Sequence, residues 1–158
     1  MLTSLERGVF SGLDNLQKLY LDGNNISLVE DSVFQNLRKL DELDLSGNQI
    51  AVLAGETLMG LQKLRKLNLK GNQLTILGDH TFAYVQNLQR LDLSSNQLQI
   101  IRYQAFANLR RLNQLDLAQN KLTALEKTSM VPIWPNLLEN TFKLSLIGNI
   151  FGAKLPFY

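Results

Sequence analysis

Cysteine is missing from this chain of 158 residues. A disulfide framework, a thiolate zinc site and a cysteine nucleophile are therefore excluded. A single histidine, His80, argues against a multi-histidine metal site or a histidine-based proton relay. Charge of one sign is also missing: 16 Lys and Arg face 14 Asp and Glu, a formal net charge of +2. That balance predicts no polybasic nucleic-acid surface, so no nucleic-acid partner is expected. No apolar run approaches the ~18–20 residues that cross a bilayer, so this segment is not expected to insert into a membrane. The opening residues, Met1 to Gly8, lack the basic start and apolar stretch of a secretion signal. Nor is there a glycine-rich phosphate loop: Gly23, Gly47 and Gly71 are isolated and recur at turns.

Leucine and asparagine are what the chain has in excess. They are not scattered. Leu16, Leu40, Leu64, Leu88 and Leu112 recur at one constant spacing with no insertion between them. Each opens the string L-x-x-L-x-L-x-x-N-x-L, as in Leu64-Arg-Lys-Leu67-Asn-Leu69-Lys-Gly-Asn72-Gln-Leu74. Two further apolar columns complete the unit: Phe10, Phe34, Leu58, Phe82, Phe106, Met130, and then Leu13, Leu37, Leu61, Val85, Leu109, Ile133. The alternation Leu67-Asn68-Leu69 predicts a short strand with one buried face. The next strand arrives one full period later, so neighbours must be parallel with a return segment between them. One coil cannot bury its own leucines, whereas stacked coils merge them into a continuous core. The F-x-x-L spacing of the return segments fits a single turn of α or 3₁₀ helix, so few helical residues are expected.

This pattern resembles the leucine-rich repeat family in its 24-residue "typical" class, as in the ectodomains of Toll-like receptors and variable lymphocyte receptors. The plant class lacks support because its Gly-x-Ile-Pro segment is absent, and the ribonuclease-inhibitor class has longer repeats. The expected fold is an α/β solenoid. It is a curved right-handed coil, with a parallel sheet of short strands on the concave side and mostly irregular or short 3₁₀ or helical turns on the convex side. Residues 1–158 read as one domain: a partial repeat at 1–15, regular repeats at 16–39, 40–63, 64–87 and 88–111, a longer repeat at 112–140, and a degenerate terminal repeat or cap at 141–158. Met1 falls in mid-coil, which makes the chain read as part of a longer repeat protein.

The column Asn24, Asn48, Asn72, Asn96, Asn120 and Asn149 reads as structural. Where the chain turns inward, backbone groups need partners, and an amide offers both donor and acceptor. At the far end the register slips by five positions through Val131-Pro-Ile-Trp-Pro-Asn136. Two prolines are expected to end any helix nearby, and Trp134 to plug the last regular coil. Asn149-Ile-Phe151 resembles the start of an extracellular C-terminal cap, but Ile150 replaces the usual Pro and no cysteines follow. Ile150, Phe151, Leu155, Phe157 and Tyr158 would then form an apolar lid, or an open end through which copies self-associate.

The family resemblance implies a binding face on the concave sheet. Its candidate ligand-binding residues are Lys18, Tyr20, Glu42, Asp44, Lys66, Asn68, Lys70, Arg90, Asp92, Gln114 and Asp116. Lys143, Asp22, Ser46, Ser94, Ala118, Ser145 and Ile147 complete the three outward columns. Tyr20 is the aromatic on this array and the first hot-spot candidate. The acidic side chains do not suggest a metal: Asp44 and Asp92 lie two strands, ~10 Å, apart with Asn68 between, and two neighbouring carboxylates are a weak site. His80, beside Asp79 in a turn, reads as solvated. No catalytic residue, cofactor or metal is expected, and the chain reads as a non-catalytic module for a protein or other macromolecular ligand. Asn25-Ile26-Ser27 is an N-glycosylation acceptor. The resemblance implies an extracellular or cell-surface location and an innate-immune role; a structural spacer or a cytoplasmic scaffold are the alternatives.

Overall fold

The computed structural model describes residues 1–151. It is a parallel solenoid of about five turns, as the leucine spacing requires. Each coil contributes one short strand to a single sheet: β2 (Lys18–Tyr20), β4 (Glu42–Asp44), β5 (Lys66–Asn68), β7 (Arg90–Asp92), β9 (Gln114–Asp116) and β10 (Lys143–Ser145). The sheet order is β10-β9-β7-β5-β4-β2 and every pair is parallel. Residues one period apart in sequence pair directly, Leu43 with Leu67 and Leu67 with Leu91. Leu144 pairs with Leu115, so the slip in the last repeat is absorbed without breaking the ladder.

The strands are short because the core demands a turn. Leu45, Leu69, Leu93 and Leu117, each one residue beyond its strand, are fully buried, and the chain then bends so that the next Leu or Ile points inward as well. One position in that bend needs a left-handed backbone. Gly23, Gly47, Gly71 and Gly148 occupy it with φ of 63°, 63°, 66° and 78°, while Ser95 and Gln119 adopt 55° and 54° in the same place. Glycine is favoured there because a Cβ meets the following carbonyl in that conformation.

The asparagine after each of these turns stitches coils together. Asn72 Nδ2 donates to the Leu45 and Leu69 carbonyls at 2.9 and 3.0 Å, and its Oδ1 accepts from the Ile50 N–H at 3.0 Å. Asn48, Asn96, Asn120 and Asn149 repeat the same three contacts, each within its own pair of coils. Asn24, half-buried, bonds the Leu2 N–H and the carbonyls of Leu21 and Asp22.

Four other short strands form two small ladders past the asparagine turn: β1 (Ser4–Leu5) with β3 (Leu28–Val29), and β6 (Ile76–Leu77) with β8 (Ile100–Ile101). These segments, expected to be irregular, are ordered instead. They are extended because aliphatic side chains alternate there between exposed (Leu28, Ile76, Ile100) and inward (Val29, Leu77, Ile101). The return segments then run through consecutive turns closed by i+3 bonds, such as Gln35 N–H to Ser32 and Leu37 N–H to Phe34. Phe34, Phe82 and Phe106 are fully buried, and Phe82 stacks on Phe106 with ring centres 6.1 Å apart.

Two end positions, Leu13 and Ile150, depart from expectation. Leu13, placed in an inward column, is 44% exposed, because only one neighbouring coil covers it. Pro132 and Pro135 each follow the end of one helical segment, as expected, and also stand inside the start of the next. A short helix α1 (Lys127–Met130) leads into a 3₁₀ turn (Val131–Ile133) and a second short helix α2 (Trp134–Leu137), with the prolines in the first turns of the latter two. A proline is tolerated there because the first N–H groups of a helix have no intrahelical acceptor. Trp134 is half-buried, packs on the core and carries the Lys127 ammonium over its ring at 5.7 Å. Phe151 also packs on the core and Ile150 is 60% exposed, whereas Leu155, Phe157 and Tyr158 of the expected lid lie outside the described residues.

Candidate functional site

Period-two alternation turns one side chain of each strand, Leu19 to Leu144, toward the core and the flanking two outward. Ten of the eleven candidate residues therefore lie on one continuous face, and Lys70 stands in the turn just beyond β5. The direct pairings run Lys18–Glu42–Lys66–Arg90–Gln114–Lys143 in the first column and Tyr20–Asp44–Asn68–Asp92–Asp116–Ser145 in the second. A shallow depression of about 260 Å³ is lined by Tyr20, Glu42, Asp44, Lys66, Asn68, Arg90, Asp92 and Gln114.

The two ends of this face differ. At the first strands Glu42 is a hub. Its Oε1 accepts from Lys66 Nζ at 2.5 Å and lies 3.3 Å from Lys18 Nζ, while Oε2 accepts from the Tyr20 hydroxyl at 3.1 Å. The Lys66 hydrogen bond is the main reason its carboxyl is pulled down to about 2, with Lys18 and Tyr20 adding to the effect. Lys18 is raised in turn, chiefly by its hydrogen bond to Glu42. Tyr20, 57% exposed, is thus oriented by its hydroxyl and offers its ring to solvent. Further along, the Arg90, Lys70 and Lys143 side chains have no hydrogen-bond or ion-pair partner among the described residues.

The second column does local structural work. Asp44 Oδ1 accepts from the Ser46 N–H and hydroxyl at 2.8 and 2.6 Å, and Asp92 does the same with Ser94 at 2.9 and 2.6 Å. Asn68 and Asp116 accept from the N–H two residues on. Each side chain closes the strand end in an Asx-type turn, which is why Asp or Asn recurs there. The D-x-S spacing was the signal that could have found this role. Asn68 also donates from Nδ2 to Asp44 Oδ2 at 2.9 Å, standing between Asp44 and Asp92 in the ladder.

Sequence reasoning missed one ion pair beside the sheet. Arg65 grips Asp41 of the previous coil through two nitrogens, lowering the Asp41 carboxyl and raising the guanidinium. Its signal was an Asp and an Arg at the same position of successive repeats. His80 sits in a turn with φ 59° and is exposed; no side chain bonds it among the described residues. Asn25 is exposed on the turn after the sheet, where a glycan would meet no core side chain. Among the described residues, no group of three or more His, Asp or Glu side chains is placed to hold a metal ion, and no helix is long and apolar enough to cross a membrane.

Comparison with known proteins adds three findings. No curated protein matches the sequence. A solved structure, the crystal structure of a TLR13–ssRNA13 complex, matches with a TM-score of 0.77 at 27% identity. The match covers 94% of this chain and 20% of that one, so this chain spans about a fifth of that chain's length. That protein is in complex with single-stranded RNA, so setting nucleic acid aside on net charge alone is not sustained: an even total says nothing about how charges are distributed. Finally, the family described as "Leucine rich repeat" matches residues 14–74 and 62–122, the stretch that forms β2 through β9 and the asparagine stitching between them. Periodic leucines buried in every coil, strands paired at the repeat spacing and a family match over more than half the sequence lead to one conclusion: this chain belongs to the leucine-rich repeat family.

Proposed function

We propose that the chain is a recognition module, not an enzyme, that grips a macromolecular partner on its six-stranded face. The first choice of partner is a protein. The observation that carries this reading is the contrast along the face: a fixed Lys18–Glu42–Lys66–Tyr20 cluster lies beside the unpartnered cations Arg90 and Lys70. The strands fix the backbone through their ladders, so little backbone or loop order remains to be lost on binding. Charge here sets orientation and on-rate more than affinity, while Tyr20 supplies contact area.

Likeness to TLR13 favours a receptor-type protein with an innate-immune role, acting outside the cell or at its surface as part of a longer chain. Asn25 then carries a glycan. The test is binding to arrays of microbial components, host extracellular proteins and single-stranded RNA, followed by the same measurement on Lys66→Glu/Arg90→Glu/Asp92→Lys. Loss of the captured partner by the triple variant is expected. Retained binding would refute use of this face, and no partner in any array would favour a structural spacer.

A further inference from the structure

The formal charge of +2 conceals a sorted distribution. The three outward columns of the sheet carry five cations and five acids and are neutral as a set. Segments 6–7, 30–31, 54–56, 78–80, 102–103 and 126–127, which follow the asparagine turns, carry six acids against three cations. The loops that lead into the sheet strands show the reverse. Arg38, Lys39, Lys63, Arg65, Arg110 and Arg111 face only Asp14, Asp41 and Glu139.

This basic rim is also where the surface is furrowed. A cavity of about 490 Å³ is lined by Lys39, Lys63, Asn87 and Arg111, which come from four successive coils. A second cavity shares Asn87 and Arg111 with it, and a third shares Arg110 and Arg111 with the second, so the three adjoin as one trough. Within it, Arg65 is held by Asp41 and Lys39 donates to Asn15 at 2.6 Å. The Arg38, Lys63, Arg110 and Arg111 side chains have no partner among the described residues and are exposed.

We propose that this trough binds a sulfated polysaccharide, a linear polyanion lying across the coils beside the sheet face, whose Lys18 also lines it. Three features choose that partner. Cations recur along the solenoid axis, which suits a chain bearing repeated anionic groups. Amides intersperse them at Gln17, Asn87, Gln89 and Asn113, matching a ligand rich in hydroxyls and amides. Among the described residues the trough has no aromatic platform for stacking bases: Phe142, which lines the third cavity, is half-buried and packed on the core. Guanidinium forks add two-point contacts to the sulfate oxygens.

The experiment titrates the protein with a size-defined heparin oligosaccharide by calorimetry at two salt concentrations. Single-stranded RNA and poly-glutamate of matched charge serve as competitors. Heparin binding that weakens with salt is expected, together with a loss of about tenfold or more for Lys63→Gln/Arg110→Gln/Arg111→Gln and a flatter salt dependence. Lys63→Gln and Arg111→Gln alone should each show a smaller loss. Arg102→Gln/Lys121→Gln, which removes exposed cations elsewhere, should retain binding. Fully desulfated heparin should not bind. No heparin binding, equal or tighter binding of RNA or poly-glutamate, or an unaffected triple variant with a native circular dichroism spectrum would each overturn the proposal.

Discussion

Asn72 offers the sharpest test of how the coils are held together. Replacing it with Ala leaves the buried Ile50 N–H without an acceptor, because Asn72 Oδ1 is its sole partner among the described residues. The carbonyls fare better. Leu45 keeps the Asn48 amide at 2.9 Å and Leu69 keeps the Asn96 amide at 2.9 Å, so each loses one of two side-chain donors. An orphaned buried donor costs about 1–3 kcal/mol and each lost hydrogen bond about 0.5–1.5 kcal/mol. Asn72→Ala should therefore cost about 2–6 kcal/mol, a large share of the roughly 5–15 kcal/mol that a folded domain has in all. Asn24 makes equivalent contacts where solvent can replace them, so Asn24→Ala should cost about 1 kcal/mol or less. Urea denaturation of wild type and both variants measures the difference through the midpoint at constant slope. Asn72→Asp adds a control. It keeps the acceptor for Ile50 but sets a carboxylate against two carbonyls, raising its pKa in the folded state. Its stability should then fall as pH rises through the carboxylate range. If Asn72→Ala costs no more than Asn24→Ala, the stitching is not what joins the coils.

Other outcomes follow from single sites. Glu42 is depressed from 4.5 to about 2 in the folded chain, so its stabilising effect is complete above the ordinary carboxylate value and is lost as pH falls toward 2. Glu42→Gln should flatten the wild-type decline in denaturation midpoint over that window; an unchanged decline would show that the Lys18–Glu42–Lys66 cluster is not formed in solution. Gly60→Ala should destabilise by about 2 kcal/mol or more, since φ is 97° and a Cβ would stand 2.5 Å from the Gln35 backbone, which cannot swing aside as a side chain could. A thermal melt unchanged by that substitution would refute the close approach of those two turns. Ser95→Gly should be neutral or stabilising by up to about 1 kcal/mol despite losing the exposed hydrogen bond to Gln119. A clear loss of stability would show that this bend does not favour glycine.

The repeat itself was legible in the sequence, because burial is a local demand that recurs with the chain. Leu67, Leu69, Leu74 and Leu77 are buried at intervals set by one coil, and the same intervals return at Leu91, Leu93, Leu98 and Ile101. From that periodicity came parallel strands, the solenoid and the side of each strand that faces out. The second ladders at Leu28–Val29, Ile76–Leu77 and Ile100–Ile101 were less legible, since so short an aliphatic alternation reads equally well as a turn. The prolines at 132 and 135 mark where one helical segment stops, but that each also opens the next was not legible, because it depends on where the preceding chain enters.

The sequence by itself decided the period, the core and the direction of each side chain, since all three follow from how one coil hides its leucines. Only the tertiary structure decided which charges meet. Glu42 lies between Lys18 of the coil before and Lys66 of the coil after, Arg65 reaches back to Asp41, and Lys39, Lys63 and Arg111 line one trough. Those groups are far apart along the chain and adjacent only once the coils are stacked. Rotamer and pairing then determine which cations are used up inside the molecule and which are left for a partner.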